Sequence, residues 1–258
     1  MSASIEPRQV QKPFWKRWLR MSWQLFVRSP IRFGVLIALL GLLDTSAVNL
    51  SYGFTIPRFW VDRLGMLLLP ALFALVGAVA RGADDTRQTW GLLHEFLRPR
   101  LWAKAVMAGA ALVLFEWLIF HALVFFSDPS AKVLYSQEPG ALLTSFVAKA
   151  VLVNWVLGIC YAPLMVFWPE LSFVETQKLS ASASHVNNTA HICYFYSAVM
   201  LAGLPLTLVP SYGMTEAALL VFLGILSYVA YRDIFERRDA NFPAAVETRT
   251  ANPAQVPT

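Results

Sequence analysis

Charge is scarce in this chain. Only 14% of its 258 residues are Asp, Glu, Lys or Arg, where an ordinary globular protein carries about a quarter, so too little charge is present to solvate a separate soluble domain. Cysteine is scarcer still, with two. Cys160 and Cys193 stand in apolar surroundings without metal-ligand spacing, which argues against a disulfide framework and a zinc site. Also lacking are a glycine-rich phosphate loop, a G-x-S-x-G elbow and an H-E-x-x-H pair, the usual marks of catalytic chemistry. No enzymatic activity, cofactor or bound metal is therefore expected. The first thirty residues lack the compact apolar core and small-residue cleavage site of a signal peptide, so they are expected to stay attached.

What the chain has instead is apolar length, at 57% hydrophobic residues. Runs of about 18 or more such residues, enough to cross about 30 Å of hydrocarbon as helix, recur at about 31–51, 63–81, 101–126, 147–168, 191–209 and 214–231. These spacings predict an all-α, polytopic membrane protein with six spans. The first is the weakest, since Ile31 to Leu43 is too short to cross and the helix must continue through Asp44.

With six spans, only Arg58, Arg63, Lys132 and Lys149 among the 21 Lys and Arg fall on one side. Short loops rich in Lys and Arg stay cytoplasmic, so both termini are expected inside. The net charge of +5 is explained by this bias and by attraction to anionic lipid headgroups, and no nucleic-acid partner is expected. Trp60, Trp102, Trp168 and Tyr231 stand near the expected interfaces, as amphipathic rings do. Residues 1–30 then form a basic, amphipathic cytoplasmic segment, 31–232 the six-helix domain, and 233–258 a cytoplasmic tail rich in Pro, Ala and Thr with the composition of disorder.

Three segments are too polar to cross but carry one-faced helical spacing: Phe14, Trp18, Met21 and Leu25; Trp90, Leu93, Leu97 and Leu101; Leu179, Ala183, Val186 and Ala190. They suggest a unit of interfacial helix, span and span used three times. The first two segments read as lipid-associated. The third has a weaker apolar face, better suited to packing on protein.

Three stretches carry a family resemblance: "WQLFVRSPIRFGVLIALL", with its W-x-L-F-x-x-x-P run into the first span; "LLLPALFALVGAVARGADDTRQTWGLLHEFLRPRLW"; and "CYAPLMVFWPELSFVETQKLSASASHVNNTAHI" with its A-P-L-M. In these the chain resembles a broad group of six-helix bacterial inner-membrane proteins of unknown function. It departs from that pattern at Glu175-Thr176-Gln177, where Ala is expected. The resemblance implies a bacterial inner-membrane location and carries no catalytic residues.

Polar groups inside a bilayer cost several kcal/mol unless paired, so each is a functional candidate. Asp44 lies thirteen residues past Ile31, Glu116 fifteen past Leu101, and Asn154 fourteen before Trp168. At 1.5 Å per residue all three stand roughly 20 Å above the basic end. Such a layer suits a proton or cation site, hydrogen-bonded glue between helices, or contact of Asp44 with outer headgroups. His121 lies about 140° around the helix from Glu116, and Lys149 sits where a long side chain snorkels. On the cytoplasmic side, His185, Asn187, Asn188 and His191 form the most polar cluster, spaced poorly for a metal and suited to docking or to capping helices. The favoured reading is a non-enzymatic accessory or scaffold protein that meets a protein partner, or its own copies, through residues 172–190. The alternative, from another class, is a small proton-linked transporter or channel.

Overall fold

The computed structural model describes residues 6–10, 13–53, 58–85, 96–126, 158–207 and 214–236. Among them the chain is all-helical, with eight helices and no strand: α1 Phe14–Arg28, α2 Pro30–Gly53, α3 Arg58–Asp84, α4 Pro99–Phe126, α5 Tyr161–Phe167, α6 Phe173–Val186, α7 Thr189–Thr207 and α8 Met214–Phe235. Three carry stretches long and apolar enough to cross a membrane, Arg63–Asp84, Pro99–Leu118 and Met214–Phe235. A fourth candidate is α1 taken with Pro30–Leu43, bent by 93°. The described residues thus support three or four of the six expected spans.

The bend between α1 and α2 has a local cause. Pro30 has no N–H to give the preceding turn, and its ring clashes with that turn's carbonyl, so α1 ends at Arg28. The same ring suits the first position of the next helix, and α2 then runs unbroken through Asp44 to Gly53. Phe33 and Leu36 turn inward on α2, whereas Ile31, Val35, Leu39 and Leu42 form an exposed apolar stripe of the kind that faces lipid.

Helix α8 is the inside element. Of its most apolar stretch 61% is buried, against 33% for α4, and Leu223 to Tyr231 are buried without interruption. One core surrounds α8 with Trp18 and Leu25 of α1, Phe33 of α2, Val76 and Ala80 of α3, and Ile192 and Tyr196 of α7. A second joins α3, α4 and α5 through Ala71, Ala74, Ala78, Ala105, Ala108, Leu112 and Met165. Small residues dominate the α3–α4 contact because apolar bulk gains nothing over lipid there, and close backbone approach does. At Gly109 a Cβ would overlap the Leu67 carbonyl of α3, so only glycine permits that approach.

Three expectations are corrected. The span drawn over 147–168 is not one continuous helix: residues 158–160 are not helical, with φ +69° at Gly158, and α5 begins only at Tyr161; residues 147–157 lie outside the described residues. The break is forced by α6, since a side chain at Gly158 would meet the Ser180 backbone. The face of α1 read as lipid-associated packs on protein, with Trp18 fully buried and Phe14 and Leu25 nearly so. On α6 the expected face is met in part: Ala183 is buried and Leu179 packs on the core, but the rest of the buried face is Thr176, Ser180, Ser184 and Asn187, while Val186 is exposed and Ala190 belongs to α7. Nothing among the described residues establishes the threefold plan, and residues 86–95 of its middle segment lie outside them.

Gly109→Val is expected to push α4 off α3 and to cost about 1–3 kcal/mol, the usual penalty of overpacking. The check is the thermal midpoint of the purified protein in detergent, with Gly65→Val, where a Cβ meets nothing within 4 Å, as the control.

Candidate functional site

The polar chemistry of the described residues gathers where the C-terminal ends of α3 and α8 meet α1. Three carboxylates sit there, Asp84, Asp233 and Glu236, each answered by arginine. Asp233 binds the Arg17 guanidinium of α1, accepts from Trp18 Nε1 at 2.9 Å, and has Arg8 Nη2 at 3.9 Å. Asp84 binds Arg232 and accepts from Tyr228 Oη at 3.0 Å. Glu236 binds Arg81, whose guanidinium stacks 5.4 Å above the Phe167 ring. Arg32 Nη1 donates to the Gly82 carbonyl at 2.8 Å, and Trp168 Nε1 to Tyr231 Oη at 3.0 Å.

Helix geometry explains the arrangement. Tyr228 and Arg232 are four apart and so share the face of α8 that meets Asp84. The C-terminal end of a helix favours cations and disfavours carboxylates, so Asp84 and Asp233 depend on the arginines brought to them. The N-terminal segment is fastened to the same place, with Arg8 N donating to the Ile234 carbonyl at 3.1 Å. Sequence reading counted Arg17, Arg81 and Arg232 only as charges beside spans and missed their acidic partners. Acids spaced among those arginines at the ends of α3 and α8 were the available signal.

The expected cytoplasmic cluster divides into parts with different roles. Asn187 is buried: its Oδ1 accepts from Val10 N at 2.7 Å, and its Nδ2 donates to the carbonyls of Arg8 at 3.1 Å and Ala183 at 2.9 Å. This corrects its reading as docking surface. Asn188, at φ +65°, accepts from His191 N at 3.5 Å and so turns the chain from α6 into α7. His185 and His191 are exposed. No group of three or more metal-ligating side chains occurs among the described residues. The other end of α6 closes in a capping box, in which Ser172 Oγ accepts from Glu175 N at 3.2 Å and Ser172 N donates to Glu175 Oε2 at 2.7 Å. The Ser172 backbone N–H, and after it the Ser172 side chain, hydrogen-bond the Glu175 carboxyl and hold it below its ordinary value of 4.5.

Of the proposed intramembrane layer, Glu116 is described. Its carboxylate lies 3.9 Å from Arg63 Nη2, with side-chain exposures of 15% and 11%, a partner assigned from sequence to an outer loop. Asn154 and Lys149 lie outside the described residues, as do the side chains of Asp44 and His121. Cys160 is buried, Cys193 is half-buried, and both are free thiols.

Two clefts lie among the described residues' polar and apolar surfaces. An apolar groove of about 590 Å³ runs between α1, α7 and α8, lined by Trp15, Leu19, Trp23, Phe195, Val199 and Leu219 among others. A smaller cleft of about 220 Å³ lies where α4 meets the end of α5.

The class these features define is an all-helical protein with several helices able to cross a membrane. Comparison with protein-family models, curated proteins and solved structures gives no match to this chain.

Asp233→Ala is expected to cost about 2 kcal/mol, between about 0–1 for an exposed ion pair and about 3–5 for a fully buried one. Asp233→Asn, which keeps an acceptor for Trp18, should cost less; thermal midpoints rank the two. The capping box carries a pH signature. Because the folded carboxyl of Glu175 is depressed, its contribution is present above 4.5 and is lost as pH falls through the lower folded value. The gap in thermal midpoint between the wild type and Glu175→Ala should therefore be widest near neutral pH and close in acid.

Proposed function

We infer that the chain is a non-enzymatic accessory or scaffold protein of a membrane complex, and that the outward edge of α6 is where a protein partner docks. The observation that supports this most is how α6 is held. A row of hydroxyl and amide groups, Thr176, Ser180, Ser184 and Asn187, is buried. Thr176 donates to the Ser172 carbonyl at 2.8 Å, and Ser180 Oγ accepts from Cys160 N at 3.2 Å. The Thr176 bond is internal to the helix, but α6 cannot roll without breaking those that Ser180 makes to Cys160 and Asn187 makes to Val10 and Arg8. Its opposite edge, with Val174, Lys178, Ser182, His185 and Val186, is exposed and is presented at fixed orientation. Polar side chains between apolar ones on a rigid element suit protein recognition. We place the protein in a bacterial inner membrane with both termini cytoplasmic; the basic residues at one end of the bundle support that orientation.

A second reading, a proton-linked transporter or channel around Asp44, Glu116 and Asn154, is favoured by one observation. The Glu116 carboxylate faces Arg63 between two candidate spans with little exposure, and intramembrane ion pairs commonly mark ion paths.

One set of measurements separates the two. A photo-crosslinking residue at Ser182 of the full chain, in native membranes, is expected to yield one dominant protein adduct, and the same residue at lipid-facing Leu114 only lipid adducts. Absence of any protein adduct at Ser182 would count against docking. In proteoliposomes, the docking reading predicts proton flux no higher than bare bilayer for both wild type and Glu116→Gln. The transport reading predicts a flux that Glu116→Gln abolishes.

A further inference from the structure

We propose that the cleft between the start of α4 and the end of α5 is a binding site for a phosphate group, and that its natural ligand is the headgroup of a membrane phospholipid. The inference does not depend on the docking reading, since it uses different residues on a different helix.

The cleft, about 220 Å³, is lined by Arg98, Arg100, Leu101, Lys104, Met165, Val166, Pro169 and Glu170. Three of its four charged side chains are cations. Arg100 and Lys104 are four apart on α4 and so lie on one face of one turn, where like charges repel. The first turn of α4 adds the positive end of its dipole. Arg100 is exposed and makes no hydrogen bond or ion pair among the described residues. Lys104 is different: it is only 8% exposed, and its ammonium is drawn to the cleft by the Pro169 carbonyl, which accepts from Nζ at 2.9 Å. That bond uses one of three ammonium donors, leaving two for a ligand. The Lys104 ammonium, with one carbonyl partner, is answered by the carboxylates of Glu170 and Glu175, and with Arg98 and Arg100 beside it the cleft keeps an excess of cations that an anion relieves.

Phosphate is the anion that fits. Guanidinium binds its oxygens in pairs while lysine supplies a point charge, and charge-assisted bonds of this kind are the strong ones. The floor of the cleft is apolar, with Leu101, Met165 and Val166 buried, which suits the glycerol carbons of a lipid better than a free ion. From Arg100 α4 continues as an exposed apolar strip through Ala103, Met107, Ala110 and Leu114, along which acyl chains would lie. Trp102 meets Phe96 edge to face at 5.2 Å, and aromatic rings of this kind mark the headgroup level of a membrane. Basic clefts between helices at that level recognise lipid phosphate. Sequence reading grouped Arg98, Arg100 and Lys104 with the orienting charges and saw no cleft, because the Pro169 carbonyl that positions Lys104 is 65 residues away.

The test is native mass spectrometry of the full-length protein in delipidating detergent, with three probes: dioleoyl phosphatidylglycerol, glycerol phosphate and inorganic phosphate. Wild type is expected to retain one phosphatidylglycerol molecule. Arg100→Gln should bind it about tenfold more weakly, the loss of one charge-assisted contact. Glu170→Gln, which removes the cleft's one anion, should bind it more tightly, a change of sign that a purely structural role would not produce. Lys104→Met should lose the lipid, but it also removes the bond to Pro169; exposed Arg100 therefore keeps the test independent of folding. Binding of glycerol phosphate or inorganic phosphate as tight as the lipid would retain the phosphate site and overturn the lipid as its source. Unchanged lipid retention in Arg100→Gln, or no retention in wild type, would overturn the site itself.

Discussion

A helix that is apolar almost all round has no preferred direction in lipid until its ends are fixed, and in this protein the ends are fixed by paired charge. Asp233 is the focus. One carboxylate receives the Arg17 guanidinium and the Trp18 indole from α1, with Arg8 close by. The short N-terminal helix is thereby held against the most buried span of the bundle. Its neighbour Arg232 turns the other way to Asp84 at the end of α3. Adjacent residues of α8 thus clamp two different helices, and the apolar contacts above them inherit their register from that clamp. Trp18 can be fully buried only because its single polar atom has found an acceptor.

The second constraint is backbone proximity. Gly109 lets α4 close on α3, and Gly158 lets the segment before α5 cross α6 at Ser180. In both places the missing side chain matters more than any residue present. The crossing at Gly158 accounts for the hydroxyls of α6: Ser180 satisfies the Cys160 amide that the turn leaves open, and Asn187 satisfies the backbone of the N-terminal segment. A buried polar face is stable when every group on it is matched, and here the matching groups are backbone atoms, of distant segments for Ser180 and Asn187 and of the preceding turn for Thr176 and Ser184.

These two features also explain what could be read from the chain and what could not. Helices α3, α4 and α8 were legible because a long apolar run in a membrane has one outcome, a hydrogen-bonded helix. The inward turn of Trp18, Phe14 and Leu25 was legible as a stripe on α1, but a stripe does not say whether lipid or protein covers it. On α6 the pattern found Ala183 and Leu179 but not the buried hydroxyls beside them, since Ser and Thr count as polar in any periodicity and are expected outside. Glu116 was singled out as an intramembrane carboxylate, but its neighbour Arg63 had been assigned to a loop.

By itself, then, the sequence determined the class of the protein: all-helical, with several helices long and apolar enough to cross a membrane. Those properties follow from composition and from local geometry, where each residue acts through its own hydropathy or through neighbours one turn away. Only the tertiary structure decided which charges meet, which face of α6 is buried and that a basic cleft exists. Arg17 with Asp233, Cys160 with Ser180 and Lys104 with Pro169 are joined across 216, 20 and 65 positions. No periodicity in the chain encodes such distances, because they are set by how packed helices cross.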